Sequence, residues 1–117
     1  MATDPSCLFC KIAAKQIPAK LAHEDADTLA FDDINPVSPQ HVLVIPRKHV
    51  ATLNDLAPQD EALAGKLFTT AAKVARARGF ADQGWRAVVN VGKDAHQLVF
   101  HVHLHVIAGR PMQWPPG

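Results

Sequence analysis

Between Gln97 and Ile107 the chain reads Gln-Leu-Val-Phe-His-Val-His-Leu-His-Val-Ile. His101, His103 and His105 alternate with Val102, Leu104 and Val106. Period-two alternation marks a half-buried β-strand, because successive side chains point to opposite faces. The pattern predicts a strand over 97–107 with three imidazoles on one face and three aliphatic side chains in the core. It also narrows the chemistry. His101 and His105 would stand ~13 Å apart along an extended chain, too far for one metal to hold all three rings unless they lie along the strand. Imidazole acts as base, acid, nucleophile and ligand near neutral pH. The spacing therefore favours a division of labour, with one nucleophile and flanking helpers. A solvated edge strand that is merely His-rich is the plainer alternative.

At 117 residues the chain suits a single domain over 1–117, with residues 1–6 as a loose N-terminal segment. A net charge of +1 argues against a nucleic-acid polymer as partner. No apolar run of about 18 residues is present, so no membrane partner is expected. Met1-Ala2-Thr3-Asp4-Pro5 lacks the basic and apolar regions of a signal peptide, which predicts a cytoplasmic location. The two cysteines, Cys7 and Cys10, stand three apart and suit a shared metal or a redox pair. No strand precedes them, so the setting of a thioredoxin-like motif is missing. Tyrosine is absent, which removes phenol chemistry.

In chain order, Cys7–Ala14 reads as a short helix with Ser6 as N-cap and Pro18 beyond its end. Leu8, Phe9 and Ile12 fall on one side of it, as core contacts or as the wall of an apolar pocket. Lys20–Glu24 and Thr28–Asp32 are short strands around the Asp25-Ala26-Asp27 turn. Asn35-Pro36-Val37-Ser38-Pro39 is a loop. His41–Pro46 is a central strand, apolar without a break and so covered on both faces. Pro58–Arg78 is the long helix, with Asp60 and Glu61 at its positive end and Gly79 closing it. Its core stripe is Leu63, Leu67, Ala71 and Val74. Trp85–Val91 is a further strand, returning through a hairpin-like link into the histidine strand. Five strands and two helices with short links predict an α+β fold with a mainly antiparallel sheet. The tail around Trp114 is too proline-rich for a helix or central strand, and a lone tryptophan there hints at a partner subunit that covers it.

Phosphorus chemistry makes use of such a histidine array. A neutral imidazole nitrogen can attack phosphorus to form a covalent intermediate that water resolves. A second imidazole can supply the proton that the leaving group needs. His103, with a helper on each side, is the natural nucleophile. No Gly-rich phosphate loop is present, which argues against an ATP-driven motor or a dinucleotide-binding enzyme.

His101-Val102-His103-Leu104-His105-Val106-Ile107 resembles the His-x-His-x-His-x-x signature of the histidine triad family, with apolar residues at x. Ile17-Pro18-Ala19-Lys20, Leu29-Ala30-Phe31, Asp33-Ile34, His41–Pro46, Val89-Asn90, Gly109-Arg110-Pro111 and Trp114-Pro115-Pro116-Gly117 extend the similarity, and the ending resembles the Hint branch more than the Fhit-like dinucleoside polyphosphate hydrolases. The resemblance implies a five-stranded antiparallel protomer and a homodimer whose sheet runs to ten strands. It implies hydrolysis of purine nucleoside phosphoramidates, such as adenosine 5′-monophosphoramidate, and of aminoacyl adenylates, with no metal in the chemistry. By motif position His103 would be nucleotidylated, flanked by His101 and His105 and supported by His41. Asn90 would orient the phosphate, and Asp33 would hold the ribose. Leu8, Phe9, Ile12, Phe31 and Ile34 would line the base pocket. Gln97 keeps the family residue on the substrate side, and Trp114 would reach the partner's site. A dinucleoside polyphosphate hydrolase and a non-catalytic nucleotide-binding scaffold are the competing readings.

Two residues depart from the family pattern. Leu98 stands where many relatives carry a polar residue near the phosphate, and leucine cannot donate that hydrogen bond. His96 stands where glycine is common, either as an ordinary exposed histidine or as an added phosphate donor. The resemblance also implies a structural zinc site of Cys7, Cys10, His49 and His101, a donor set that suits tetrahedral zinc. The alternative is two reduced, buried thiols.

Overall fold

The run Val42-Leu43-Val44-Ile45 has no polar face to give to water, so a strand made from it must be covered on both sides. A computed structural model describes residues 2–117 and shows that arrangement. Met1, the first residue of the expected 1–6 segment, lies outside the described residues. The elements run α1 (Leu8–Ala13), β1 (Leu21–Glu24), β2 (Thr28–Asp32), β3 (Gln40–Pro46), α2 (Glu61–Arg78), β4 (Trp85–Val88) and β5 (Leu104–Ala108). They form a five-stranded sheet in the order β1-β2-β3-β5-β4. Every neighbouring pair is antiparallel. β3 lies at the centre, and the chain crosses over through α2 to reach β4 at the far edge.

The two faces carry separate cores. Val42 and Val44 join Val102, Leu104 and Val106 beneath α2. Leu43 and Ile45 join Phe9, Ile12, Leu29 and Phe31 beneath α1. The histidine alternation thus divides as the period demands, aliphatic side chains toward α2 and imidazoles toward α1. α2 buries Leu67, Thr70, Ala71, Val74 and Ala75, with Leu63 only half-buried. Gly79 ends it at φ +83°, its N–H directed at the carbonyls of Ala75 and Arg76. Arg78, in the last turn, forks onto both carboxylate oxygens of Asp32 at 2.6 and 3.2 Å and ties α2 to β2. Among the described residues no helix is long and apolar enough to cross a membrane.

Three expectations are corrected. The cap of α1 is Cys7, whose Sγ accepts the Cys10 N–H at 3.4 Å, and not Ser6. Ser6 is occupied with Asp4, its N–H and hydroxyl both donating to that carboxylate. The histidine strand begins at Leu104 rather than Gln97. Its ladder with β3 stops at the Val44–Leu104 pair, and two residues further along β3 is Pro46, which has no N–H to offer. Val102 gives its own N–H to the carbonyl of Val50 instead, at 2.8 Å. For the same reason β4 ends at Val88 and not Val91: Val88 pairs with His105, and there is little β5 left to pair with. The link between β4 and β5, consecutive antiparallel neighbours, is the segment 89–103.

Gly109 turns the chain out of β5 at φ +97°, and a Cβ there would lie 2.8 Å from Cβ of Pro39. Gly109→Ala is expected to lower the unfolding free energy by about 1–3 kcal/mol through strain and contact. Chemical denaturation checks this, and a midpoint equal to the parent's would contradict it.

Candidate active site

The loss of ladder pairing before Leu104 leaves the carbonyl of His101 free, and His103 uses it. His103 Nδ1 lies 2.8 Å from that oxygen. A carbonyl only accepts, so Nδ1 carries the proton and Nε2 keeps its lone pair. Phe9 stands edge-on to the ring at 5.1 Å between centroids, and His105 at 4.9 Å. Burial pushes the His103 pKa down, against the bond to His101 and the charge of Asp33, which raise it. The ring is held neutral with one defined nucleophilic nitrogen.

His41 and His105 are ordered in the same way. The N–H of Val37 donates to His41 Nδ1 at 3.1 Å, so neutral His41 carries its proton on Nε2. That proton points to His105 Nδ1, 2.8 Å away. His105 is left with an Nε2–H, which is buried and has no acceptor among the described residues. Asp33 Oδ2 lies 3.4 Å from His41 Nε2, while Oδ1 takes the N–H of Asn35 at 2.8 Å. Burial, with His103 and His41 adding to it, pushes His105 down to about 4. Burial also lowers His41, against the pull of Asp33.

His103 and His105 open onto a cavity of about 390 Å³. Leu8, Phe9, Ile12, Phe31 and Ile34 line it, together with Asp33, Asn90, His103 and His105. Leu98 and His96 form part of its rim, Leu98 largely exposed and His96 with a left-handed φ of +63°. No lysine or arginine lines it, so an anion there would find imidazoles and neutral N–H donors rather than a fixed cation, away from the carboxylates of Asp32 and Asp33. His41 stands behind His105 rather than on the wall. Leu43 also lines the cavity; strand alternation in β3 was the signal that could have found it, since Leu43 faces His105 across the β3–β5 ladder.

Of the substrate-side candidates expected in the protomer's own cavity, Gln97 is not brought to it; Trp114 is expected at the partner's. Gln97 is buried beneath the turn that follows β4, its Oε1 accepting from Gly92 N–H at 2.9 Å. Its Nε2 donates to the carbonyls of Ala51 and Val99 at 2.9 and 3.1 Å. Its hydrogen-bonding capacity goes to holding that turn. Trp114 is 82% exposed and does not line this cavity.

His101 turns away from the cavity. Its Nε2 donates to the carbonyl of Pro46 at 2.8 Å, which leaves Nδ1 as a lone-pair donor. That nitrogen lies 3.4 Å from Cys7 Sγ, 3.5 Å from Cys10 Sγ and 3.2 Å from His49 Nδ1. Cys10 Sγ lies 3.4 Å from His49 Nδ1. A tetrahedral zinc with its usual bond lengths keeps sulfur and nitrogen donors about 3.5 Å apart and two nitrogens about 3.3 Å apart. The four side chains fit that ion in donor chemistry and in spacing. Both cysteines are buried and unpaired, and burial raises the Cys10 pKa. A metal would offset that by stabilising the thiolate.

The three histidines of the motif thus face three ways: His101 to the cysteines, His103 to the cavity, His105 to His41. Together with His41 and His49 they form a clustered active-site geometry typical of catalytic histidine triad hydrolases.

The comparisons agree with this geometry. The HIT domain model matches residues 14–112. An uncharacterized HIT-like protein of Synechocystis is 47% identical over 110 residues, which cover 94% of this chain and 96% of that one. A HIT family hydrolase from Legionella pneumophila superposes with a TM-score of 0.93 at 48% identity, covering 96% of this chain and all of that one. A histidine triad protein from Clostridium difficile superposes with a TM-score of 0.92 at 38% identity, covering 95% of this chain and 96% of that one.

The depressed histidines set a pH dependence. His105 protonates near 4 in the folded chain but near the ordinary ~6.5 when unfolded. The unfolded state therefore binds more protons in that interval, and the stability present above about 6.5 is lost as pH falls toward about 4. Denaturation midpoints between pH 7 and 4 are expected to fall, and less steeply in His105→Asn, which cannot titrate. Equal slopes in the two proteins would contradict the assignment.

Proposed function

This chain belongs to the HIT, or histidine triad, family, and we propose that within it the chain acts as a Hint-like hydrolase of purine nucleoside 5′-phosphoramidates and aminoacyl adenylates. The observation that carries this reading is the orientation of His103: a neutral ring with its Nδ1–H bound to the His101 carbonyl and Nε2 free at the cavity. The apolar end of the cavity, formed by Leu8, Phe9, Ile12, Phe31 and Ile34, suits a purine. Asp33 lines the same end and suits the ribose hydroxyls, and Asn90 suits a phosphate oxygen.

In the proposed reaction His103 Nε2 attacks the phosphorus, the phosphorus–nitrogen bond breaks, and the amine departs with a proton. The His41–His105 pair beside Asp33, having taken up one proton from solvent, supplies it to the departing amine and later recovers one. Water then attacks the nucleotidyl-His103, releasing the nucleotide and returning a proton to the pair. The unpaired His105 Nε2–H is placed to meet charge that builds on the substrate. The chemistry asks for no metal. Zinc on Cys7, Cys10, His49 and His101 would serve structure, and unpaired cysteines suit the cytoplasm, where we place the protein.

We also propose a homodimer. β4 is one edge of the sheet, while the other edge, β1, is broken by a register shift that discourages further pairing. Two β4 edges side by side would continue the sheet to ten strands. Phe100 and Trp114, both exposed in the protomer, would then find cover.

His103→Ala is expected to keep the fold and reduce hydrolysis of adenosine 5′-monophosphoramidate by at least about a thousandfold. Near-parental turnover would make the nucleophile assignment wrong. Leu98→Ser, which adds a hydroxyl at the cavity rim, is expected to raise phosphoramidate turnover severalfold; an unchanged or lower kcat would count against that reading of the rim.

A further inference from the structure

We infer that the Cys7–Cys10–His49–His101 cluster and the nucleotide cavity are energetically coupled: a metal in the cluster seats α1 as a wall of the cavity, so metal and nucleotide strengthen each other's binding. This rests on the nucleotide reading of the cavity and goes beyond a metal that only stabilises the fold.

The coupling follows from what α1 is and what holds it. At six residues it is too short to persist as an isolated helix, so its order comes from its contacts. It presents two sets of side chains. Cys7, its cap, and Cys10 turn to His49 and His101, while Leu8, Phe9 and Ile12 line the cavity. Among the described residues its other polar ties include Arg47 to the Ala13 carbonyl at 3.1 Å and Asp4, whose carbonyl accepts the Cys7 N–H at 3.1 Å and whose N–H donates to Cys10 Sγ at 3.4 Å.

His101 joins the two sites through three of its atoms. Nδ1 faces the sulfurs, Nε2 is anchored on Pro46, and its carbonyl holds His103 in the nucleophilic tautomer. Phe9 packs across the same junction, with ring centroids 6.0 Å from His101, 5.1 Å from His103 and 5.5 Å from Phe31. Without a metal, the four side chains are joined only by thiol–imidazole and imidazole–imidazole contacts at 3.2–3.5 Å, a weaker hold than four metal–ligand bonds. With that weaker hold α1 is kept by the packing of Phe9 and Ile12 and a few polar ties, and any movement of it shifts Leu8, Phe9 and Ile12 at the cavity. A nucleotide bound against those side chains opposes the movement and so retains the metal. Linkage makes the two effects equal in size.

The test uses the full chain, zinc and adenosine 5′-monophosphate. Calorimetry gives the AMP Kd for zinc-loaded and chelator-stripped protein, and a competing chelator gives the zinc affinity with and without saturating AMP. AMP is expected to bind on the order of tenfold tighter to the loaded protein, and to raise zinc affinity by the same factor. Hydrogen exchange should show residues 8–13 protected by zinc while the β3 amides are unchanged. Circular dichroism must show the stripped protein folded, because a metal that only held the fold would also link the two ligands through unfolding; a stripped protein that unfolds would overturn the local coupling. Equal AMP affinity in both forms with zinc affinity indifferent to AMP would overturn the coupling. So would failure of the protein to take up zinc. Absence of AMP binding to zinc-loaded protein would instead overturn the nucleotide reading beneath it.

Discussion

The hydrogen bond from His103 Nδ1 to the carbonyl of His101 decides what the whole array can do. A neutral imidazole has one proton and two nitrogens, and whichever nitrogen is protonated cannot be the nucleophile. With Nδ1 committed to a backbone oxygen, the lone pair stands on Nε2, at the cavity. The bond exists because the β3–β5 ladder stops at Leu104. One turn-off in strand pairing, set by Pro46 and by the Val102–Val50 bond, thereby selects the tautomer.

The remainder of the fold keeps that bond in place. Val102, Leu104 and Val106 are buried beneath α2, and each contributes about 1.5–3 kcal/mol of burial. A slip of one residue would drive three imidazoles into that core and expose three aliphatic side chains, so the register is strongly specified. On the opposite face His101 is locked by Pro46 and by the cysteine cluster, and His105 by His41, which Val37 orients in turn. The same sheet thus serves as hydrophobic beam on one side and as a row of aligned nitrogens on the other. Neutral imidazoles are what burial produces there, and neutral imidazoles are what attack on phosphorus requires.

Much of this was legible in the sequence because its signals are local. Alternation over 101–106 predicted the two faces, and the unbroken apolar run of β3 predicted cover on both sides. Gly79 marked the end of α2. What escaped depends on partners distant in sequence. The start of β5 is decided by Pro46 and Val50, and the fate of Gln97 by the Ala51 carbonyl, none of which a local pattern can reveal. Gln97 shows the consequence: a family residue expected at the substrate side is spent on the turn behind it. Ser6 is the local exception: Asp4, nearby in sequence, takes its N–H and hydroxyl, and Cys7 caps α1 instead. The set Cys7, Cys10, His49 and His101 was implied by the family resemblance, but its geometry was not legible, since His49 and His101 meet the cysteines only through the fold.

The central claim is a pattern of protons, and imidazole nitrogen NMR reads it directly. Long-range proton–nitrogen correlation spectra at neutral pH should show His103 as the Nδ1–H tautomer. His41, His101 and His105 should each be protonated on Nε2. A His103 ring found protonated on Nε2, or doubly protonated at pH 7, would contradict the account, because no lone pair would then face the cavity.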